Sequence, residues 1–162
     1  MIIVRRLQPG EVNLFKQLRL TTLQEAPYAF PSTYDAALQR SDESWLEQAE
    51  QTAQGADRAT FIAFSDDVSI GMAALYREED NVDVGELLQV WISPDFRGTR
   101  VVWNLMDEIF KWAAENNYST IIAGVTKGNA RALKFYTNYG FSIINNATPN
   151  DSGGVYLIKV VK

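Results

Sequence analysis

The chain has 162 residues, 46% hydrophobic and 22% charged, the length and balance of one ordinary globular domain. Its 15 basic and 20 acidic side chains give a net charge of −5, which speaks against nucleic acid as a partner and suits a cationic one. With no cysteine and no histidine, disulfides, Cys or His metal sites, Ser-His-Asp chemistry and Cys nucleophiles are excluded, so an acid or base must be Asp, Glu, Tyr, Lys, a terminus or water. No apolar run approaches the roughly 20 residues of a membrane span, and the opening MIIVRRLQPGEVN lacks the apolar core and cleavage site of a signal peptide. The expectation is a soluble, cytoplasmic, metal-free protein with one domain over residues 1–162.

In chain order, IIVRRL (2–7) reads as a strand stopped by Pro9-Gly10. Residues 11–25 have helical spacing, with Leu14, Phe15, Leu18 and Thr22 on one face. APYAFPSTY (26–34) reads as a loop. SDESWLEQAEQTA (41–53) reads as a helix with Ser41 or Ser44 as its N-cap, and residues 59–65 and 69–77 as a hairpin around Asp66-Asp67. NVDVGELLQVWI (81–92) predicts a longer strand whose Val82, Val84, Glu86, Leu88, Val90 and Ile92 share a face if pairing is regular. Residues 100–116 predict an amphipathic helix with Val102, Leu105, Met106, Ile109, Phe110 and Ala113 on the apolar stripe. A buried strand follows at 119–125, then a helix over 129–140 with Asn129 as N-cap and Gly140 as its stop. FSIIN and GVYLIKVV close the sheet, joined by NNATPNDSGG. The order implies a mixed α/β domain, largely an antiparallel meander, with one βαβ unit at 86–125.

The junction SPDFRGTRVVWNLM (93–106) joins a strand to a helix. The first turn of such a helix has free N–H groups and the positive dipole end, which suit a pyrophosphate. Arg97 adds a charge and Gly98 allows close backbone approach. A plain strand-to-helix turn with a surface arginine fits the same residues.

LLQVWISPDFRGTRVVWNLM followed by GVTKGNARALKFYTNYGF resembles the GNAT superfamily of N-acetyltransferases. Members carry a [QR]-x-x-G-x-[GA] loop after the fourth strand, which binds the pyrophosphate of acetyl-CoA, and an N-x6-Y helix followed by GF. Asn129, Tyr136, Gly140 and Phe141 match the second element fully. Arg97 and Gly98 fit the first, whereas Arg100 and Val102 stand where the family has small residues. LRLTTLQEAPYAFPSTY resembles the first helix and loop of members that act on small molecules. The resemblance implies a mostly antiparallel central sheet of six or seven strands with about four helices. It implies a coenzyme site at Arg97, Gly98, Thr99, Arg100, Val101, Val102, Asn129 and Tyr136, with main-chain hydrogen bonds from Val90, Trp91 and Ile92 to the pantetheine arm and the carbonyl. It also implies an acceptor pocket lined by residues 26–34, the second helix and the C-terminal hairpin, where Tyr28, Phe30 and Tyr34 add apolar character.

Acetyl transfer to an amine needs an acid for the leaving thiolate and a base for the amine. Tyr136 is the candidate acid, two helical turns from Asn129 and on nearly the same face; a core tyrosine bonded to a carbonyl is the structural alternative. Glu86 is the candidate base, the one carboxylate on an otherwise apolar strand face, unless it simply faces solvent. The acidic run REEDNVDVGE (77–86) would attract a cationic amine or form a solvated hairpin tip. Two functions follow: an acetyl-CoA-dependent N-acetyltransferase acting on a small-molecule amine by direct attack, or a non-catalytic domain binding CoA as a sensor or structural subunit. The aromatics leave room for a homodimer face.

Overall fold

The computed structural model describes residues 1–27, 32–144 and 154–161. Among them the elements are β1 (Ile2–Arg6), α1 (Val12–Glu25), α2 (Tyr34–Leu38), α3 (Asp42–Ala53), β2 (Arg58–Ser65), β3 (Val68–Arg77), β4 (Val84–Ile92), α4 (Val101–Glu115), β5 (Thr120–Val125), α5 (Ala130–Tyr139), β6 (Ser142–Ile144) and β7 (Val155–Val160), with a 3-10 turn at Pro94–Phe96. The strands form one mostly antiparallel sheet of seven, in the order β1-β2-β3-β4-β5-β7-β6. The expected βαβ unit is β4–α4–β5, whose parallel register runs from Val84 opposite Thr120 to Leu87 opposite Ala123.

Most boundaries follow from local chemistry. Ser41 caps α3, its hydroxyl accepting from the Ser44 amide at 3.1 Å, and Asn129 caps α5, accepting from the Ala132 amide at 3.2 Å. Asp66 and Asp67 both take positive φ, 49° and 74°, which suits the tight turn between β2 and β3. The linker NNATPNDSGG lies outside the described residues except for Gly154.

The short helix α2 joins the roughly four expected; it is capped by Thr33, whose hydroxyl accepts from Ala36, and five residues are too few to display a period. Three expectations are corrected. Strand β4 starts at Val84 and not at Asn81, because the Asn81 side chain and carbonyl take the amides of Asp83 and Val84 in a turn that leaves Val82 61% exposed. Nor is β4 regular: Gln89 has φ +58°, and the buried residues are Gly85, Leu87 and Trp91, while Val84, Glu86, Leu88, Val90 and Ile92 are half-buried. In α4 the buried row is Val101, Leu105, Met106, Ile109 and Ala113, so Val101 takes the core position expected of Val102.

The chain divides into two compact units. The first comprises Met1–Ala74 and Gln89–Glu108; its core gathers Phe15, Leu18 and Leu23 of α1, Trp45 and Ala49 of α3, and Ile62, Met72 and Trp91 from the strands. Phe15 meets Trp45 edge-on at 5.9 Å, and the Arg40 guanidinium lies 3.9 Å from the Trp45 ring centre. Arg6 fastens the end of α3 beside β1 by donating to the carbonyls of Gly55 (2.9 Å) and Arg58 (2.6 Å). The second unit comprises Leu75–Leu88 and Ile109–Lys162. In it β7 pairs with both β5 and β6, and Phe110, Tyr136, Tyr139 and Phe141 form an aromatic cluster.

Candidate active site

In the first unit, the junction before α4 is held by a carboxylate that no motif announces. Glu25, the last residue of α1, accepts from the Trp91 indole at 2.8 Å and from the Arg97 guanidinium. Arg97 also donates through Nε to the Ile92 carbonyl at 3.0 Å. Burial pushes the Glu25 carboxyl up, but the Trp91 hydrogen bond and the hydrogen bond and charge of Arg97 outweigh it, so its pKa is lowered. Arg97 thus ties the loop to the end of β4 and to α1. Gly98 has φ +79° with nothing within 4 Å of a built Cβ, so the backbone angle, not packing, requires glycine there.

Thr99 closes the turn, donating to the Phe96 carbonyl at 2.6 Å and accepting from the Val101 amide at 3.4 Å. The Asn104 amide bonds to the Arg100 carbonyl at 2.9 Å, which starts the helix. Among the described residues the amides of Gly98, Arg100 and Val102 have no hydrogen-bond partner. The Arg100 side chain is exposed, its guanidinium 5.5 Å from the Trp103 ring centre.

In the second unit, α5 places Tyr136. Gly140 takes φ +117° and returns its amide to the carbonyls of Tyr136 and Thr137, both at 3.1 Å; the Phe141 amide also reaches the Tyr136 carbonyl, at 2.9 Å. That reversal lays the Phe141 ring on Tyr136 at 5.2 Å. Tyr136 is 6% exposed, burial pushes its phenol well above the usual range, and among the described residues its hydroxyl has no hydrogen-bond partner.

Glu86 stands on the other side of the strand layer. Register aligns Glu86 with Ile122 and Ile122 with Ile158, and Tyr156 shares that face two residues along β7. The opposite face carries Ile121 and Lys159, and there Lys159 Nζ lies 5.8 Å from the Phe110 ring of the aromatic cluster. Glu86 is half-buried, without hydrogen bond or ion pair among the described residues. Burial, then the charge of Glu78, raises its pKa; burial, then the charges of Glu86 and Glu78, raises that of Tyr156.

Within this unit the structure brings together Glu86, Glu78 and Tyr156, and puts Tyr136 on the other face. Tyr28 and Phe30 lie outside the described residues, and Tyr34 packs against the first unit's core. Sequence reading missed Glu25, Gln89 and Tyr156. Glu25 is 66 and 72 residues from its partners, and no local pattern encodes that distance. Among the described residues no cluster of His, Cys, Asp or Glu is placed to hold a metal, and no helix is long and apolar enough to cross a membrane.

The fold resembles that of a GNAT-family acetyltransferase from Streptococcus pneumoniae, with a TM-score of 0.79 and 17% identity over 100% of both chains. PaiA N-acetyltransferase from Thermoplasma acidophilum, solved in complex with coenzyme A, superposes with a TM-score of 0.78 at 18% identity over 99% of each chain. A GNAT-family acetyltransferase from Staphylococcus aureus MU50 gives 0.75 at 17% identity over 100% of both chains. No curated protein matches the sequence. The sequence model described as Acetyltransferase (GNAT) family matches residues 20–141. With that match over most of its length, the chain belongs to the GNAT family of acetyltransferases.

Proposed function

We propose that the chain, working as one domain in the cytoplasm, transfers the acetyl group of acetyl-CoA to the amine of a small molecule by direct attack. The observation that carries this reading is Tyr136: a buried phenol, kept protonated by desolvation, with no hydrogen-bond partner among the described residues. A protonated phenol can donate to a bound ligand, and the Tyr136 side chain is set on α5 against the Phe141 ring. A thiolate leaving group with a pKa of roughly 8.5 is a suitable recipient of that proton.

The chain's other residues fit such a ligand. The amides of Gly98, Arg100 and Val102 have no partner among the described residues at the start of a 15-residue helix, which suits phosphate oxygens. The exposed Arg100 adds a cation that a glycine would lack, and Arg97 fixes the loop's position through Glu25. Main-chain groups of Val90, Trp91 and Ile92 would pair with the pantetheine arm and polarise the carbonyl, and Asn129 sets the start of the helix that carries Tyr136.

Glu86 supplies the base. Its raised pKa makes it a stronger acceptor, and with Glu78 it forms a negative face for an ammonium, beside apolar Ile122 and Ile158. Glu86 takes a proton from the amine, the nitrogen–carbon bond forms as the carbon–sulfur bond breaks, and Tyr136 gives its proton to the sulfur.

A second reading, a domain that binds CoA without turnover, is favoured by one observation: Arg97 is already engaged by Glu25 and Ile92, next to a loop with bulky residues at 100 and 102. Thiol release from acetyl-CoA with a panel of primary amines separates the two. Release that disappears in Tyr136→Phe supports the enzyme; calorimetric binding of CoA without release by any amine supports the second reading; no heat at millimolar CoA removes both.

A further inference from the structure

Gln89 is the one described residue of β4 with a positive φ, +58°. Non-glycine residues rarely adopt that conformation, and in a strand it interrupts regular pairing. The same residue carries a second anomaly: its side-chain Oε1 is shielded from solvent and has no hydrogen-bond partner among the described residues. Native proteins satisfy nearly all such atoms. Among the described residues Trp45 Nε1 is the other buried orphan, and it sits inside the core beneath the Arg40 guanidinium. Gln89 instead directly precedes Val90, Trp91 and Ile92. Backbone strain and an unmet acceptor on one residue are two departures from the most stable arrangement, and neither contributes to the stability of the free fold.

We propose that Gln89 is a substrate-positioning residue whose Oε1 accepts a hydrogen bond from an N–H group of a bound substrate. A carbonyl oxygen of a side-chain amide only accepts, so the partner must be a donor. Two sources present that chemistry in an acyl transfer, an amide N–H of the pantetheine arm and the N–H of the incoming amine. The inference rests on the acyl-transfer reading and adds to it a contact made by a side chain where the strand otherwise offers its backbone.

The test is Gln89→Met, which keeps the length of the side chain and removes the acceptor, alongside Gln89→Gly, which also relieves the positive φ. Three quantities are measured on each: Tm, the Kd for CoA by calorimetry, and the KM for an amine that releases thiol with the native protein. The expected result is opposite signs: Tm unchanged or raised, because a buried orphan is gone, with Kd or KM raised about tenfold or more. A raised Kd for CoA assigns the donor to the pantetheine arm; an unchanged Kd with a raised KM assigns it to the amine. Native Kd and KM in Gln89→Met overturn the proposal, as does a fall in Tm that accompanies weaker binding, since that marks a packing residue. Absence of both CoA binding and thiol release in the native protein removes the acyl-transfer reading itself, and this inference with it.

Discussion

The Glu25 carboxylate at the end of α1 is ion-paired with the Arg97 guanidinium in the loop before α4. Both side chains are about one-third exposed, at 31% and 32%, so the pair is screened and contributes on the order of 1 kcal/mol or less. The folded pKa of Glu25 is below its ordinary value. The stabilisation is therefore complete above the usual glutamate range and is lost as the pH falls through the folded value. Glu25→Gln is expected to lower Tm near neutral pH and to converge on the native Tm in acid, with weaker CoA binding at neutral pH because the loop is no longer braced. Thermal melts across pH and calorimetry check both; a Tm difference that grows in acid would contradict this account.

Tyr136→Phe removes a hydroxyl with no hydrogen-bond partner among the described residues. Its Tm and Kd for CoA are expected to stay near native while kcat drops about 100-fold, the scale of one general acid. Turnover equal to the native protein would take Tyr136 out of the chemistry.

The raised pKa of Glu86 has consequences for rate and for stability. A base must be ionised, so the acid limb of kcat/KM is expected above the ordinary glutamate range. Glu78→Gln, which removes the second cause of the shift after burial, is expected to move that limb to lower pH. A carboxyl raised on folding stabilises below its unfolded pKa and loses that contribution as the pH rises through the folded value. Glu86→Gln is therefore expected to abolish the limb and to raise Tm more at pH 7 than at pH 4. An acid limb that persists in Glu86→Gln would assign the base elsewhere.

Trp45 anchors the first unit's core at 1% exposure. Trp45→Ala is expected to destabilise by about 3–5 kcal/mol, the range for emptying a large aromatic site. Trp45→Phe should cost much less, because among the described residues the indole N–H has no acceptor to lose. Denaturant midpoints of the two variants measure the difference, and equal losses would show that the N–H has a partner after all.

The features legible in the sequence were those written in local spacing. Ser41 and Asn129 were readable as caps because a cap and its amide lie three residues apart. The amphipathic row of α4 was readable because it spans several turns, although a stripe fixes the face to within one residue, and Val101 replaced Val102. The family resemblance singled out Tyr136 and the loop at 97–102 as candidates. Glu25, Gln89 and Tyr156 were not legible: one acts across 72 residues, one through a backbone angle that its residue type disfavours, and one through strand register. The short α2 fell below the length at which a period is visible.

Strand β1 ends the sheet order, and Ile2 and Ile3 on it are 36% and 53% exposed. An edge of that kind invites another chain to add a strand. Here the apolar run is cut after Val4 by two arginines, both anchored: Arg5 reaches Glu11 with two hydrogen bonds, at 2.9 and 2.8 Å, and Arg6 caps carbonyls beyond α3. Replacing both with valine would join five β-favouring residues on that edge and is expected to promote aggregation.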